Sequence, residues 1–539
     1  MHALDLEDTR DRHLGRMLQL QAEQNGDGQF LITDQQRINF ADAEDITNRL
    51  ATAFQSMGIS RGDRVAFFLG SCPQMVLMCL ALNKIGAVWV PVCTDYRGEW
   101  LSDTLKRSRA KLLVTDIEYQ DWVAAIASDL DYQSYILVDG DADSLSPAVR
   151  YEQLLEQPPL EVDYTQHNYG DTCAILWTSG TTGRSKGVMQ AHNNWVRATV
   201  LGTMRMYHSE PGDIIYCALP LYNSGAWVTC VLRALATGLA CVIEKKFSAS
   251  GFMDRIKHFG ATQTFAVGAM GIFLLGQAEQ ADDADNPLRE AAIIPMPPNL
   301  WSVFENRFGV RLISSGLGQS ECLLTLNQLH SELKLPVYAL GYPPPDAEVD
   351  LFNDEGVPVA DGESGEICVR PLAPYVLFNG YFDDPEATAA AYRGEWFLTG
   401  DLGRRDPQTR AFFFVDRKKD AVRFAGRNIS TMEVESVVRR HPAIGDVAAF
   451  GIPSDVLASE DELKLSIVIR SDQSVTAEEL CWYIEENAPH YFVPRYIDFV
   501  TELPYTPTNK VQKYILRQRG NGEDTWDRQA ANFQSKLKS

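Results

Sequence analysis

The sequence predicts an α/β chain: a large N-terminal domain of mainly parallel sheets with helices plus a small β subdomain, then a small α+β C-terminal domain. Three observations carry this. Strand-length apolar runs alternate with helix-length segments through the first three hundred or so residues, the pattern of parallel strands joined by crossover helices. The stretch 345–416 is rich in turn and β-branched residues, which reads as short antiparallel strands. From about residue 418 the pattern resumes, with apolar strands at 446–450 and 464–469 and a helix near 478–487. A chain of 539 residues is too long for one core. The expected division is 1–416 and 417–539.

Taken in order, residues 1–30 are polar with a helix over 13–24. Across 39–57, Ile46, Leu50, Phe54 and Met57 recur at helical spacing, and Gly58 stands where a C-terminal cap belongs. Residues 64–69 read as a buried strand. The helix at 73–85 is apolar nearly all round and is therefore expected to be buried. Strands follow at 88–92, 111–115, 134–138, 174–178, 213–218 and 311–315. In 261–277, small residues interleave with apolar ones, which suits close helix packing and a pocket wall equally.

Composition excludes several classes of function. A net charge of -23 argues against a nucleic-acid surface. No apolar run is long enough for a membrane span, and no signal-peptide core opens the chain. The ten cysteines are scattered without a Cys-x-x-Cys pair, as in a reduced, cytoplasmic protein. Ser535-Lys536-Leu537 is followed by two further residues, so it is not a terminal peroxisomal address.

The stretch that carries chemistry is Leu176-Trp-Thr-Ser-Gly-Thr-Thr-Gly-Arg-Ser-Lys-Gly187. Thr178, Ser179, Gly180, Thr181, Thr182 and Gly183 combine close backbone approach with hydroxyl donors, and Arg184 and Lys186 add positive charge. That is the composition of a loop that wraps a polyphosphate. It is not a Walker A loop, because Lys186 is followed by Gly187. It closely resembles the phosphate loop of the adenylate-forming superfamily, which includes acyl-CoA synthetases, peptide-synthetase adenylation domains and luciferases.

Further stretches resemble that superfamily in the same order, from about residue 40 to residue 516. Gly58-Ile-Ser-Arg-Gly-Asp-Arg-Val65 and Lys84-Ile-Gly-Ala-Val-Trp-Val-Pro91 are packing segments. The resemblance places the acid pocket at Tyr222, Asn223 and Trp227, with Gly268, Ala269 and Ser315 as further walls; the small residues Gly268, Ala269 and Gly271 and those at 314–316 suggest room for a sizeable acyl group. Asn223 stands where relatives often carry His, and Asn cannot titrate. Ile294, Pro295 and Met296 replace a Gly-rich turn. In Gly316-Leu317-Gly318-Gln319-Ser320-Glu321 an aromatic residue is replaced by Leu317, while Gly318, Ser320 and Glu321 keep the pattern. A carboxylate beside a phosphate loop suits Mg²⁺, which takes hard oxygen ligands. Gly365-Glu-Ile-Cys-Val-Arg370, Asn379-Gly-Tyr381 and Trp396-Phe-Leu-Thr-Gly-Asp401 follow.

By resemblance, Asp401 and Arg417 bind the ribose, Lys419 is the hinge of a mobile C-terminal domain, Gly426 lies along the CoA path and Lys510 is the catalytic lysine. The second half most resembles the carnitine/crotonobetaine-CoA ligase-like branch, through Asp416-Arg-Lys-Lys-Asp420, Tyr491-Phe-Val-Pro-Arg495 and Thr506-Pro-Thr-Asn-Lys510. The implied activity is ATP-dependent acid–CoA ligation: the acid attacks the α-phosphorus of ATP, and CoA then displaces AMP. Glu321 is the expected metal ligand, and ATP, Mg²⁺ and CoA are the expected cosubstrates and cofactor. The expected partners are small molecules, with a homodimer carried as a further expectation. Two alternatives stand beside this. One is an amino-acid or acyl adenylating enzyme that delivers to a carrier protein. The other is a nucleotide-binding scaffold without turnover.

Overall fold

Between residues 29 and 313 the chain builds two seven-stranded sheets, each parallel except for one antiparallel edge pair. One runs Ala148–Arg150, Ser134–Val138, Leu112–Asp116, Arg64–Phe68, Val88–Pro91, Thr172–Thr178, Lys186–Ala191. Its antiparallel pair is the last. The other runs Arg311–Ile313, Glu290–Ile294, Gln263–Val267, Ile214–Cys217, Ala240–Ile243, Gln29–Ile32, Arg37–Asn39, and again the last pair is antiparallel. The computed structural model describes residues 2–139, 145–178, 185–313, 315–328, 335–336, 338–418, 420, 422–424, 427–454, 461–488, 490–505, 511–531 and 533.

The two faces of the first sheet explain its near-continuous apolar strands. Val65 and Phe67 join a core shared with Leu50 and Phe54 of one helix, Val76 and Leu80 of another, and Leu31 and Val242 of the second sheet. Ala66 and Phe68 point the other way, onto Leu101 and Leu105 of the helix Gly98–Ser108. A parallel strand covered on both faces has no solvent side on which to place polar residues.

The helix expected at 39–57 is Phe40–Ser56. The Asn39 side chain caps its first turn by accepting the Asp42 N–H at 2.6 Å, and Gly58 leaves it at φ +79. The helix Pro73–Lys84 opens on proline and is buried almost throughout. The strand expected at 311–315 ends at Ile313, and Leu317–Gln319 turns back as a hairpin onto Cys322–Leu326. Residues 320 and 321 therefore lie in a hairpin turn.

Contacts divide the chain into two compact units, Met1–Val349 with Val369–Phe397, and Asp350–Cys368 with Leu398–Ser539. The second unit holds an antiparallel pairing of residues 401–405 with Phe412–Arg417, in which Asp401 faces Arg417. It also holds a sheet ordered Ile444–Pro453, Asp461–Ile469, Tyr496–Phe499, Trp526–Asp527. Helices Thr431–Val438 and Ala477–Asn487 cover a core that includes Val434, Val438, Leu480 and Ile484. The second helix starts with a capping box between Thr476 and Glu479. No described helix is long and apolar enough to cross a membrane.

Candidate active site

The hairpin Thr172–Thr178 and Lys186–Ala191 holds the two ends of the phosphate loop. Thr178 and Lys186 are register partners, and the Thr178 hydroxyl donates to the Lys186 carbonyl at 3.4 Å. Ser179, Gly180, Thr181, Thr182 and Gly183 lie outside the described residues. Ser185, buried at the loop's end, has its hydroxyl 3.3 Å from that of Tyr96. A second segment lies along the outer edge of Lys186–Ala191. Phe382 N–H donates to Gly187 O at 2.7 Å, and Asn379 N–H donates to Met189 O at 2.8 Å. Val188 and Tyr381 form an antiparallel bridge.

That edge segment brings Tyr381 between two charged residues. The Lys186 ammonium sits 4.7 Å from the centroid of its ring, a cation–π distance. Its hydroxyl donates to Glu321 Oε1 at 2.8 Å. Burial first, then the Glu321 charge, pushes the Tyr381 phenol far above its ordinary pKa, so it stays a donor at neutral pH. The turn carrying Glu321 is fixed by backbone contacts as well. Phe378 N–H donates to Glu321 O at 2.9 Å. The fully buried Gln190 side chain donates to Ser320 O and accepts from Asn194 at 2.8 Å. Ser315, buried, and Gly316, Leu317, Gly318 and Gln319 lead into this turn.

Of the residues expected around the acid, Tyr222 is half-buried. Its phenol is pushed up by burial and by Cys93. Asn223 caps a helical turn, its side chain accepting Gly225 N–H at 2.9 Å, which is a physical use for Asn at this position. Trp227 is fully buried. It stacks on Trp89 at 4.5 Å and donates to Leu221 O at 2.8 Å. It opens a π-helical segment, Trp227–Val231, and the neighbouring segment Ala198–Thr203 is π-helical too. Thr203 ties the two by donating to Val228 O at 3.0 Å.

The expectation that small residues at 268–271 leave acyl room is corrected at two of them. A Cβ on Gly268 would meet Pro295 O at 2.0 Å, and one on Gly271 would meet Ile293 Cγ2 at 2.8 Å. Close approach of the helix Gly268–Leu275 to residues 293–295 uses that space. Ala269 is half-buried.

In the second unit, Asp401 is 1 % exposed and Arg417 Nε lies 2.8 Å from its Oδ1. Around the pair, Gly400 N–H donates to Glu366 Oε1 at 3.1 Å, and Lys418 Nζ pairs with Glu366 at 2.8 Å. Asp416, also buried, accepts the Thr431 hydroxyl at 2.8 Å; burial raises its pKa. Lys419, Gly426 and Lys510 lie outside the described residues.

Sequence reasoning missed Tyr381, Gln190 and Glu366. The Asn379-Gly-Tyr381 stretch was a visible signal, but its neighbour in space lies far off in the chain.

Comparison with known proteins gives a consistent picture. The sequence profile of the AMP-binding enzyme family matches residues 18–382, and that of the AMP-binding enzyme C-terminal domain matches residues 433–510. A crotonobetaine/carnitine–CoA ligase of Salmonella arizonae is 31% identical over 494 residues, covering 89% of this chain and 93% of the relative. Among solved structures, the anthranilate CoA ligase AuaEII in complex with anthranoyl-AMP superposes with a TM-score of 0.82 at 23% identity, over 94% of this chain and 97% of that one. A benzoate CoA ligase from Burkholderia xenovorans gives a TM-score of 0.81 at 21% identity, over 94% and 99%.

Proposed function

The chain belongs to the AMP-binding enzyme family, and from that premise we propose how it works. It is an ATP-dependent acid–CoA ligase. A carboxylate attacks the α-phosphorus of ATP to give acyl-AMP and pyrophosphate, and the CoA thiol then attacks the acyl carbon and expels AMP. No protein nucleophile takes part. The protein's task is to hold two anions together and neutralise the charge that develops between them.

The observation that carries the residue roles is the shared contact of Lys186 and Glu321 with Tyr381. In this reading Lys186 and the loop 178–183 hold the phosphates, and the turn 316–320 borders the nucleotide. Asp401 and Arg417 take the ribose hydroxyls. Tyr222, Asn223, Ala269 and Ser315 border the acid, with Trp227 and Gly268 fixing the walls behind them. Glu321 fits Mg²⁺: it offers hard carboxylate oxygens, and its Oε1 is held in place by the Tyr381 hydroxyl at 2.8 Å. One carboxylate plus phosphate oxygens is a usual protein share for this ion. When bound, Mg²⁺ supplies charge neutralisation at the phosphates.

The C-terminal region 417–539 swings about Lys419, bringing Lys510 in for adenylation and clearing it for CoA, whose path runs by Gly426. A cytoplasmic location and a homodimer complete the proposal; light scattering tests the latter.

The test is incubation with ATP, Mg²⁺, CoA and a panel of acids, including crotonobetaine, carnitine, benzoate, anthranilate and straight-chain acids. At least one acid gives AMP, pyrophosphate and acyl-CoA together. Acid-dependent ADP would contradict the reading.

A further inference from the structure

Lys186 and Glu321 carry opposite charges and share one neighbour, yet no ion pair joins them among the described residues. What stands between them is Tyr381. Its ring offers a face to the ammonium at 4.7 Å, and its hydroxyl donates to the carboxylate at 2.8 Å. Two ends of one rigid side chain thus hold the cation and the anion at a fixed spacing.

The side chain is itself held from several directions. The backbone at 381 bridges Val188, and its N–H donates to the Thr388 hydroxyl at 2.9 Å. The Phe378 ring packs edge-on at 4.9 Å. Tyr381 is 9 % exposed. A flexible residue here would let the lysine and glutamate close into a direct pair. That pair would compete with phosphate for the ammonium and with a cation for the carboxylate.

We infer that Tyr381 is a positioning residue for adenylation, which keeps Lys186 available to ATP phosphate and Glu321 oriented towards the divalent cation. This rests on the ligase reading above and adds a residue to it. Tyr381 need not touch the reacting atoms, so it is not a catalytic residue. Its effect should be confined to the step in which ATP is bound with its metal.

Three measurements test it, beginning with the wild-type enzyme. Wild-type protein that forms no AMP with any acid would remove the ligase reading itself. The inference is then judged on binding alone: Mn²⁺ titration of the protein with ATP and no acid, read by electron paramagnetic resonance. Tyr381→Phe keeps the ring face and loses the hydroxyl. It should weaken Mn²⁺ binding about tenfold, the scale of a lost hydrogen bond to a charged group, and leave metal-free ATP affinity within about twofold. Tyr381→Leu loses both and should also weaken metal-free ATP binding by about threefold, the scale of a partly exposed cation–π contact.

In half-reactions, Tyr381→Phe should raise the Mg²⁺ needed for half-maximal pyrophosphate exchange. Thioester release from supplied acyl-AMP should stay within about twofold, since a lost hydrogen bond acts only where the bond is used. In a Glu321→Gln background, Tyr381→Phe should cost little more, because the two act as a unit. Should Tyr381→Phe fail to fold, Tyr381→His is read in the same cycle. Unchanged Mn²⁺ binding, equal loss of both half-reactions, or full additivity with Glu321→Gln would each overturn the inference.

Discussion

Two polar clusters in the N-terminal unit handle charge in opposite ways. In one, Lys186 and Glu321 are half-buried and kept apart by a phenol. In the other, Lys84 has no exposed side-chain surface and pairs directly with Glu44 at 2.7 Å. Around it stand three histidines and a tyrosine. The His13 ring lies 3.7 Å from His192, 4.9 Å from His167 and 5.3 Å from Tyr164. Burial is the first cause of every shift in this cluster: Lys84 is lowered to about 8, His192 to about 3, and His13 well below its ordinary value. The buried cluster pairs its cation directly with a carboxylate, whereas Lys186 and Glu321 each contact Tyr381 instead. Perturbed titration is a probabilistic sign of function, because structural networks produce it too.

The two lysines provide the largest and cleanest contrast. Lys186→Ala should slow pyrophosphate exchange roughly 10²-fold, the scale of a lost electrostatic group. Its unfolding free energy should move by no more than about 0.5 kcal/mol, as for other substitutions away from the core. Lys84→Met should do the reverse. Removing one partner of a buried pair costs about 3 kcal/mol, whereas Lys84→Met with Glu44→Gln should recover most of it. Folded Lys84→Met should exchange pyrophosphate at the wild-type rate within a small factor. Denaturant unfolding and exchange kinetics on the same preparations check both. A folded Lys84→Met without exchange, or an unstable Lys186→Ala, would erase the distinction.

A smaller effect follows from the histidines. Each has a folded-state pKa below its unfolded value, so the unfolded chain takes up protons first. The stability held by the neutral rings is complete above the unfolded value near 6.5. It is lost as pH falls from there towards the folded values, about 3 for His192. At pH 5 this amounts to about 2 kcal/mol for His192, and the other two rings act in the same direction. The neighbouring Arg61 and Lys84 cations act in the same direction on His13, while Asp171 and Asp163 oppose the shift at His167. Unfolding midpoints measured from pH 7 to pH 5 should therefore fall, and His13→Phe should flatten the slope. A midpoint independent of pH across this window would remove the buried cluster from the account.

The two clusters also differ in how far the sequence shows them. Local patterns were legible. The spacing of Ile46, Leu50 and Phe54 with Gly58 marks the helix Phe40–Ser56, and 134–138 is read as the strand it is. The apolar helix at 73–84 is buried as expected. The site's charged residues were also visible, because Lys186 and Glu321 stand within stretches that resemble a known family. What joins them was not visible. Tyr381 reaches the hairpin edge through backbone bonds to residues nearly two hundred positions earlier, and periodicity carries no information about such pairing. Gly268 and Gly271 suited packing as well as a pocket, and the resemblance favoured the pocket. The choice depended on where residues 293–295 run, which is a tertiary fact. The π-helical turns at 198–203 and 227–231 likewise leave no periodic signature that a window of sequence can separate from an α-helix.

The central claim is that the acid's own oxygen attacks the α-phosphorus of ATP. An accepted acid labelled with ¹⁸O in both carboxylate oxygens tests it most directly, with mass analysis of the nucleotide after a single turnover. Attack at the α-phosphorus leaves one acid oxygen bridging to the nucleotide, and thiolysis by CoA expels it there. The account predicts AMP carrying one ¹⁸O and acyl-CoA retaining the other. Unlabelled AMP, or label in orthophosphate with ADP as the nucleotide product, would contradict it.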